Sequence, residues 1–133
     1  MERLQERLIQ AEKALAALQL ALAKSGLDEL ERDGLVLRFA MAAETVWKLA
    51  QRHLAEREAL DVGSPKACAR ASFESGLLDE SQCEAALMAM DDRNMVVHVY
   101  NEALAAEILA RIPAHASVLR AWFAAIQRRA SSP

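Results

Sequence analysis

The chain has 133 residues, a formal net charge of −3 and an isoelectric point near 5.6. Its mild acidity excludes an overall basic surface for nucleic acid, although it leaves room for a local basic site. Hydrophobic residues make up 53 % of the chain, enough for the core of one domain, and nothing suggests a second domain. With only four glycines and three prolines, and almost no runs of Val, Ile and Thr, the composition favours helix over sheet.

Neither the cysteines nor the hydropathy pattern indicates a metal site, a cofactor or a membrane. Cys68 and Cys83 match no metal or redox spacing, so we interpret them as small buried hydrophobes in a reducing compartment. No apolar stretch approaches the roughly 20 residues that a membrane span needs. The amino terminus is charged and amphipathic, unlike a signal peptide. We therefore expect a cytoplasmic protein that binds neither metal nor cofactor.

The first half of the chain predicts two helices. An apolar seam at spacings of three and four predicts a helix that ends near Gly26 and packs against one long neighbour. A second helix is expected from about Glu31 to Leu60, and its Glu44 and Lys48 form an i,i+4 surface ion pair. The seam of the first helix consists of Leu4, Leu8, Ala11, Leu15, Leu18 and Leu22.

Capping residues in the second half of the chain predict where its helices begin. Ser64 followed by proline starts a short third helix that stops at Gly76. Asp79, with Gln82 three residues later, resembles a capping box and opens a fourth helix, whose apolar side continues through Asn94 to Val97.

Asn101 can cap a fifth helix that reaches Ile112, and Pro113 then begins or kinks a final helix. Residues 128–133 are expected to form a flexible tail. The sequence thus predicts an all-α antiparallel bundle of five to six helices, with one domain over residues 1–127.

Polar side chains that could take part in catalysis lie at the end of the predicted fourth helix. On a helical wheel Asn94 and His98 lie within about 40° of each other and extend an apolar stripe, so both should face a packed surface. Arg93 and His98 are about 140° apart and would not meet on one straight helix. A joint site therefore needs the helix to end early, or a second copy of the chain related by a two-fold axis.

Such a cleft has the parts for metal-independent RNA cleavage. His98 can move a proton to or from a ribose hydroxyl, Arg93 can stabilise charge on the phosphorane, and Asn94 can orient either group. The alternative is structural, with His98 capping carbonyl groups at the end of the helix.

The remaining polar groups of interest are interpreted as structural. Asp91 and Asp92 diverge by about 100° on a helix, so they indicate a solvated acidic edge that could also hold Arg93. His53 and His115 are interpreted as structural or solvated residues.

The segment Arg93-x4-His98-x-Tyr100 resembles the R-x4-H-x-Y signature of HEPN proteins, particularly the HepT toxins. Four further segments are similar, in the same order, to the branch known as nucleotidyltransferase substrate-binding proteins, and together with the signature they cover roughly residues 30 to 127. These segments are 32–39 (RDGLVLRF), 44–48 (ETVWK), 64–66 (SPK) and 73–78 (FESGLL).

This resemblance implies a helical homodimer whose partner is a small nucleotidyltransferase of the MNT type, usually encoded beside it. In HepT-like systems the helical protein is an endoribonuclease toxin, which its partner silences by transferring AMP to the tyrosine of the signature. Carried over to this chain, Arg93 and His98 are the catalytic candidates, Asn94 supports them, and Tyr100 is the AMP acceptor.

Two other functions stay open at this point. The chain could be a non-catalytic subunit that binds nucleotide or substrate for a nucleotidyltransferase. It could also be an interaction module in which Arg93, Asn94 and His98 only organise a dimer. The intact Arg93-x4-His98-x-Tyr100 motif favours the HepT-like endoribonuclease, whereas the apolar residues between Asn94 and His98 and the mild acidity of the chain keep the binding subunit as the alternative.

Overall fold

A computed structural model describes residues 2–132, and over that range the chain is all helical. Five α-helices follow one another in sequence, with a 3-10 turn, Val96–His98, between the last two. Their bounds are α1 Glu2–Ala23, α2 Glu29–Glu58, α3 Pro65–Glu74, α4 Glu80–Met95 and α5 Glu102–Ser131. The predicted class, an antiparallel all-α bundle, is confirmed.

Short polar side chains begin four of these helices. Ser64 accepts a hydrogen bond from the backbone of Ala67 with Pro65 in the first turn of α3, and Asp79 forms a full capping box with Gln82, both as predicted. Asn101 caps α5, again as predicted. A second capping box, missed in the sequence, joins Asp28 and Glu31 and starts α2.

The long helix α2 lies at the centre of the bundle and packs against each of the other four α-helices. Its fully buried face includes Phe39, Val46 and Leu49. The predicted seam of α1 is buried from Leu4 to Leu18, but it packs against α5 as well as α2. Helix α2 ends at Glu58, slightly earlier than predicted, with a left-handed residue following it.

The final helix is longer than the sequence suggested. Pro113 neither starts nor ends a helix, since α5 runs unbroken past it to Ser131. The tail expected from residue 128 is mostly helical, because α5 is tied down on both sides of its last turns. Arg129 donates a hydrogen bond to the carbonyl of Ser75 at 3.1 Å, and Arg57 donates one to the carbonyl of Ala130 at 3.2 Å.

The expectations about the cysteines and about membrane spans can also be compared with the structure. Cys68 and Cys83 are both buried and unpaired by disulfide, as the sequence predicted. No helix within residues 2–132 is long and apolar enough to cross a membrane.

Candidate functional site

The polar segment singled out in the sequence lies where α4 gives way to α5. Helix α4 ends at Met95, two residues earlier than its apolar side suggested, and the backbone tightens into the 3-10 turn. The amide of Val99 donates to the carbonyl of Val96, and the amide of Asn101 donates to that of His98. We call residues 96–101 the α4–α5 turn. An early end to the helix was one of the two conditions for a joint site.

Arg93 is held by the central helix rather than by the turn. Its Nε donates a hydrogen bond to Glu44 Oε1 at 2.7 Å, and the guanidinium lies over the ring of Trp47, 5.8 Å from its centre. Nη1 donates to Asn94 Oδ1 at 2.7 Å. Arg93 and Asn94 are therefore in contact, with the guanidinium directed toward α2.

Glu44 has a larger role than the surface ion pair expected of it. The predicted contact with Lys48 is present at 3.2 Å, and Glu44 also accepts hydrogen bonds from Trp47 Nε1 and Arg93. Burial alone would raise the pKa of the Glu44 carboxyl, but the bonds from Trp47, Arg93 and Lys48 outweigh it and lower that pKa. An ionised Glu44 leaves Arg93 with much of its charge already compensated.

The expectation of a solvated acidic edge was right for Asp91 and wrong for Asp92. Asp91 is exposed and pairs with Lys66 at 2.7 Å, whereas Asp92 is buried between α4 and α5. Arg111 binds both carboxylate oxygens of Asp92, at 2.7 and 2.9 Å, and His115 Nε2 lies 2.6 Å from Oδ2. The aspartate was misread because its partners lie on a different helix, about twenty residues away.

Burial by itself would raise the pKa of Asp92, but the hydrogen bonds from Arg111 and His115 lower it below its ordinary value. The ring of His115 also stacks on Phe39 of α2, with centroids 5.1 Å apart. The sequence carried one faint signal of this network. Arg111 and His115 are four residues apart, and thus share one face of a helix.

His98 and Tyr100 lie on the solvent side of the α4–α5 turn. Both are exposed, and their rings meet edge to face with centroids 6.2 Å apart. The wheel argument, which directed Asn94 and His98 toward a packed surface, is wrong for this chain, since both are exposed. For His98 the reason is that the argument assumed a continuous helix, whereas the 3-10 turn changes the direction of the side chains after Met95. Asn94 still lies within α4, on an exposed side of that helix.

The turn does not assemble a complete catalytic centre within one chain. His98 contacts Tyr100, whereas Arg93 is engaged by Glu44, Trp47 and Asn94. Among residues 2–132 no group of three or more His, Cys, Asp or Glu side chains is arranged to hold a metal ion. The groups available for chemistry are therefore the exposed phenol of Tyr100 and the exposed imidazole of His98. The charge of Arg93 is already compensated by Glu44.

The fold is an all-α bundle of five α-helices, and the polar residues singled out in its sequence lie in or beside the α4–α5 turn. A family model described as "nucleotidyltransferase substrate binding protein like" matches residues 6–128, and the chain belongs to that family. The chain is also similar to a protein from Thermus thermophilus whose crystal structure is known. The two share 38 % identity over 89 % of this chain and 99 % of the other, with a TM-score of 0.84. A search of curated proteins gives no match.

Proposed function

We propose that this chain is the helical partner of a nucleotidyltransferase and that Tyr100 is the residue on which the transferase acts. The observation that carries this proposal is the exposure of Tyr100, which is 83 % accessible on the α4–α5 turn. It is the only tyrosine in the chain. A phenol that projects from a turn can enter the active site of another protein while the bundle stays folded.

The chemistry of AMP transfer suits this position. The Tyr100 oxygen attacks the α-phosphorus of ATP, a phosphorus–oxygen bond to the tyrosine forms, and the bond between the α- and β-phosphates breaks to release pyrophosphate. The phenolic proton must pass to a base, and the His98 imidazole, whose ring meets that of Tyr100 edge to face, is a side chain of the kind that serves as a general base. The adenylate adds bulk and negative charge next to His98.

Two further points support a partnership with a nucleotidyltransferase. The family to which the chain belongs is described by its likeness to nucleotidyltransferase substrate-binding proteins. The resemblance of Arg93-x4-His98-x-Tyr100 to the HEPN and HepT signature points to an MNT-type transferase and to the same tyrosine. The family description favours a binding role beside a nucleotidyltransferase, and the signature points to Tyr100 as the presented group.

A metal-independent endoribonuclease, of the kind found in HepT toxins, is the second candidate function. It is favoured by the exposed His98, which follows the Arg93–Asn94 pair by only a few residues. The engagement of Arg93 by Glu44 weighs against it in a single chain, because a compensated guanidinium stabilises a phosphorane less well. A cleft shared by two copies in a homodimer is the arrangement that RNA cleavage requires here.

Labelling with ATP tests the first proposal. The purified chain is incubated with Mg²⁺, ATP radiolabelled at the α-phosphate and an MNT-type nucleotidyltransferase, taken from the neighbouring gene where one is encoded there. We expect label on the wild type and none on Tyr100→Phe, while Asp91→Asn, which changes an exposed carboxylate near the turn, is labelled like the wild type. Equal labelling of Tyr100→Phe would refute the acceptor, and an unlabelled wild type would refute the partnership.

An RNase assay in EDTA decides between the two candidates. His98→Ala and Arg93→Ala are purified in parallel with the wild type. Cleavage by the wild type that both variants lose would place endoribonuclease activity first, with AMP transfer as its control. An inactive wild type, or equal cleavage by all three proteins, would leave the binding role. Light scattering tests the homodimer, and a strict monomer at micromolar concentration would exclude the shared cleft.

A further inference from the structure

Helices α4 and α5 form a hairpin whose tip is the α4–α5 turn. The turn itself has few internal bonds, which are the two backbone hydrogen bonds at Val99 and Asn101. Its two apolar residues that pack inward, Val96 and Val99, are only partly buried. The direction in which His98 and Tyr100 project therefore depends on how the two helices are held at the base of the hairpin.

At the base of the hairpin, the carboxylate of Asp92 joins α4 to α5. Asp92 lies in the last turn of α4, its side chain is 10 % exposed, and it binds Arg111 and His115 of α5. Three donor contacts on two oxygens fix the position of the carboxylate as well as its charge, because the planar guanidinium binds it bidentately. The His115 ring in turn stacks on Phe39, so the contact extends to the central helix.

The next residue holds the same turn of α4 from another side. Consecutive side chains on a helix diverge by about 100°, so Arg93 reaches α2 while Asp92 reaches α5. The last turn of α4 is thus fixed to both neighbouring helices by two adjacent ionic residues. Of the two, Asp92 is the one that joins the helices on either side of the α4–α5 turn.

We propose that Asp92 is a positioning residue, which through Arg111 and His115 sets the orientation of the α4–α5 turn and so presents Tyr100 to the nucleotidyltransferase. The use of the turn in AMP transfer rests on the function proposed above. The positioning itself is a property of this chain alone. The partners of Asp92 are Arg111 and His115 on α5, so it acts on Tyr100 through the hairpin.

The substitution Asp92→Asn tests this with little change in shape. An amide presents one donor group where the carboxylate had an oxygen, and Arg111 has no acceptor to meet it. At least one contact of Asp92 is lost together with its charge, so the two ends of the hairpin separate more easily. Residues 96–101 join those two ends, so a change in their spacing must alter backbone dihedral angles within the turn and with them the contact between the rings of His98 and Tyr100.

The single tyrosine provides a direct readout. Incorporation of 3-fluorotyrosine gives one fluorine NMR resonance, from position 100, whose shift depends on the neighbouring His98 ring. We expect this resonance to move in Asp92→Asn and to stay in place in Asp91→Asn. It should also stay in place in Ser72→Ala, which loses the buried bond between Ser72 and Trp122 and so controls for general loss of stability.

Folded Asp92→Asn with an unmoved resonance would overturn the positioning role. If Asp92→Asn does not fold, Arg111→Gln replaces it, since Arg111 is 39 % exposed and its loss leaves the bond between Asp92 and His115. The fluorine resonance of position 100 should move in Arg111→Gln as well. An unmoved resonance in that variant would also overturn the positioning role.

Transfer kinetics then test the use of the turn. With the same transferase and ATP, kcat/KM for Asp92→Asn as acceptor should fall about tenfold while KM for ATP is unchanged. A moved resonance with unchanged transfer would show that positioning by Asp92 does not matter for the reaction. An unlabelled wild type would instead refute the proposed function, and the fluorine measurement would still judge the role of Asp92 in the turn.

Discussion

A buried histidine with no hydrogen-bond partner provides a sharp test of the packing. His53 lies on α2 at 1 % exposure, and neither ring nitrogen has a partner among the residues that the structure describes. A neutral imidazole carries one donor and one acceptor, and leaving such a group unpaired in a protein interior costs about 1–3 kcal/mol. Replacing His53 with leucine removes that cost.

The expected gain is smaller than the full penalty, because leucine does not match the imidazole in shape. Such misfits cost less than about 1.5 kcal/mol in most cores. His53→Leu should therefore stabilise the protein by about 1 kcal/mol at pH 8, which raises Tm by about 3–5 °C for a chain of this length. His115→Leu is the matched control, and it should destabilise the protein because His115 is bonded to the buried carboxylate of Asp92.

The pH dependence of stability follows from the same burial. Desolvation lowers the pKa of His53 below its ordinary 6.5, and the charges of Arg129 and Arg57 lower it further. The carboxylates of Glu58 and Glu56 act in the opposite direction and do not reverse this. Below pH 6.5 the unfolded chain binds the proton more readily than the folded one, so stability falls as pH falls through that value. The loss is at most about 1.4 kcal/mol per pH unit.

Urea unfolding followed by tryptophan fluorescence, at pH 8 and at pH 5.5, measures both effects. We expect His53→Leu to unfold at higher urea than the wild type at pH 8, and the difference to widen at pH 5.5. If His53→Leu were less stable than the wild type at pH 8, or lost stability with acid as steeply, the reasoning from the unpaired ring would be refuted.

Three further predictions concern the core and the ionic network. Phe39→Ala should lower the free energy of unfolding by about 3–5 kcal/mol in urea titrations, because Phe39 is fully buried. Burial raises the pKa of the Cys68 thiol to about 11, so a thiol reagent should label Cys68 at pH 8 only after the protein is unfolded. The lowered pKa of Asp92 stabilises the protein above about pH 4 and that contribution is lost in more acidic solution, so Asp92→Asn should show a shallower acid transition by circular dichroism.

Local signals in the sequence determined the class of fold and most of its boundaries. Ser64, Asp79 and Asn101 predicted the starts of α3, α4 and α5, because a capping side chain acts on backbone amides two or three residues away. The seam of α1 was located correctly for the same reason, since helical periodicity is a property of neighbouring residues, but the sequence did not show that it packs against α5 as well as α2. The sequence also pointed to Arg93, Asn94, His98 and Tyr100 as a group.

Tertiary structure alone decided what those side chains contact. Asp92 and Asp91 look alike in the sequence, yet Asp92 is buried because Arg111 and His115 of α5 lie opposite it, a pairing across about twenty residues that no local pattern reveals. Glu44 binds Arg93 across an even longer separation. The exposure of His98 and Tyr100 depends on the end of α4 at Met95 and on the turn that follows, in which Val96 and Val99 pack against the core.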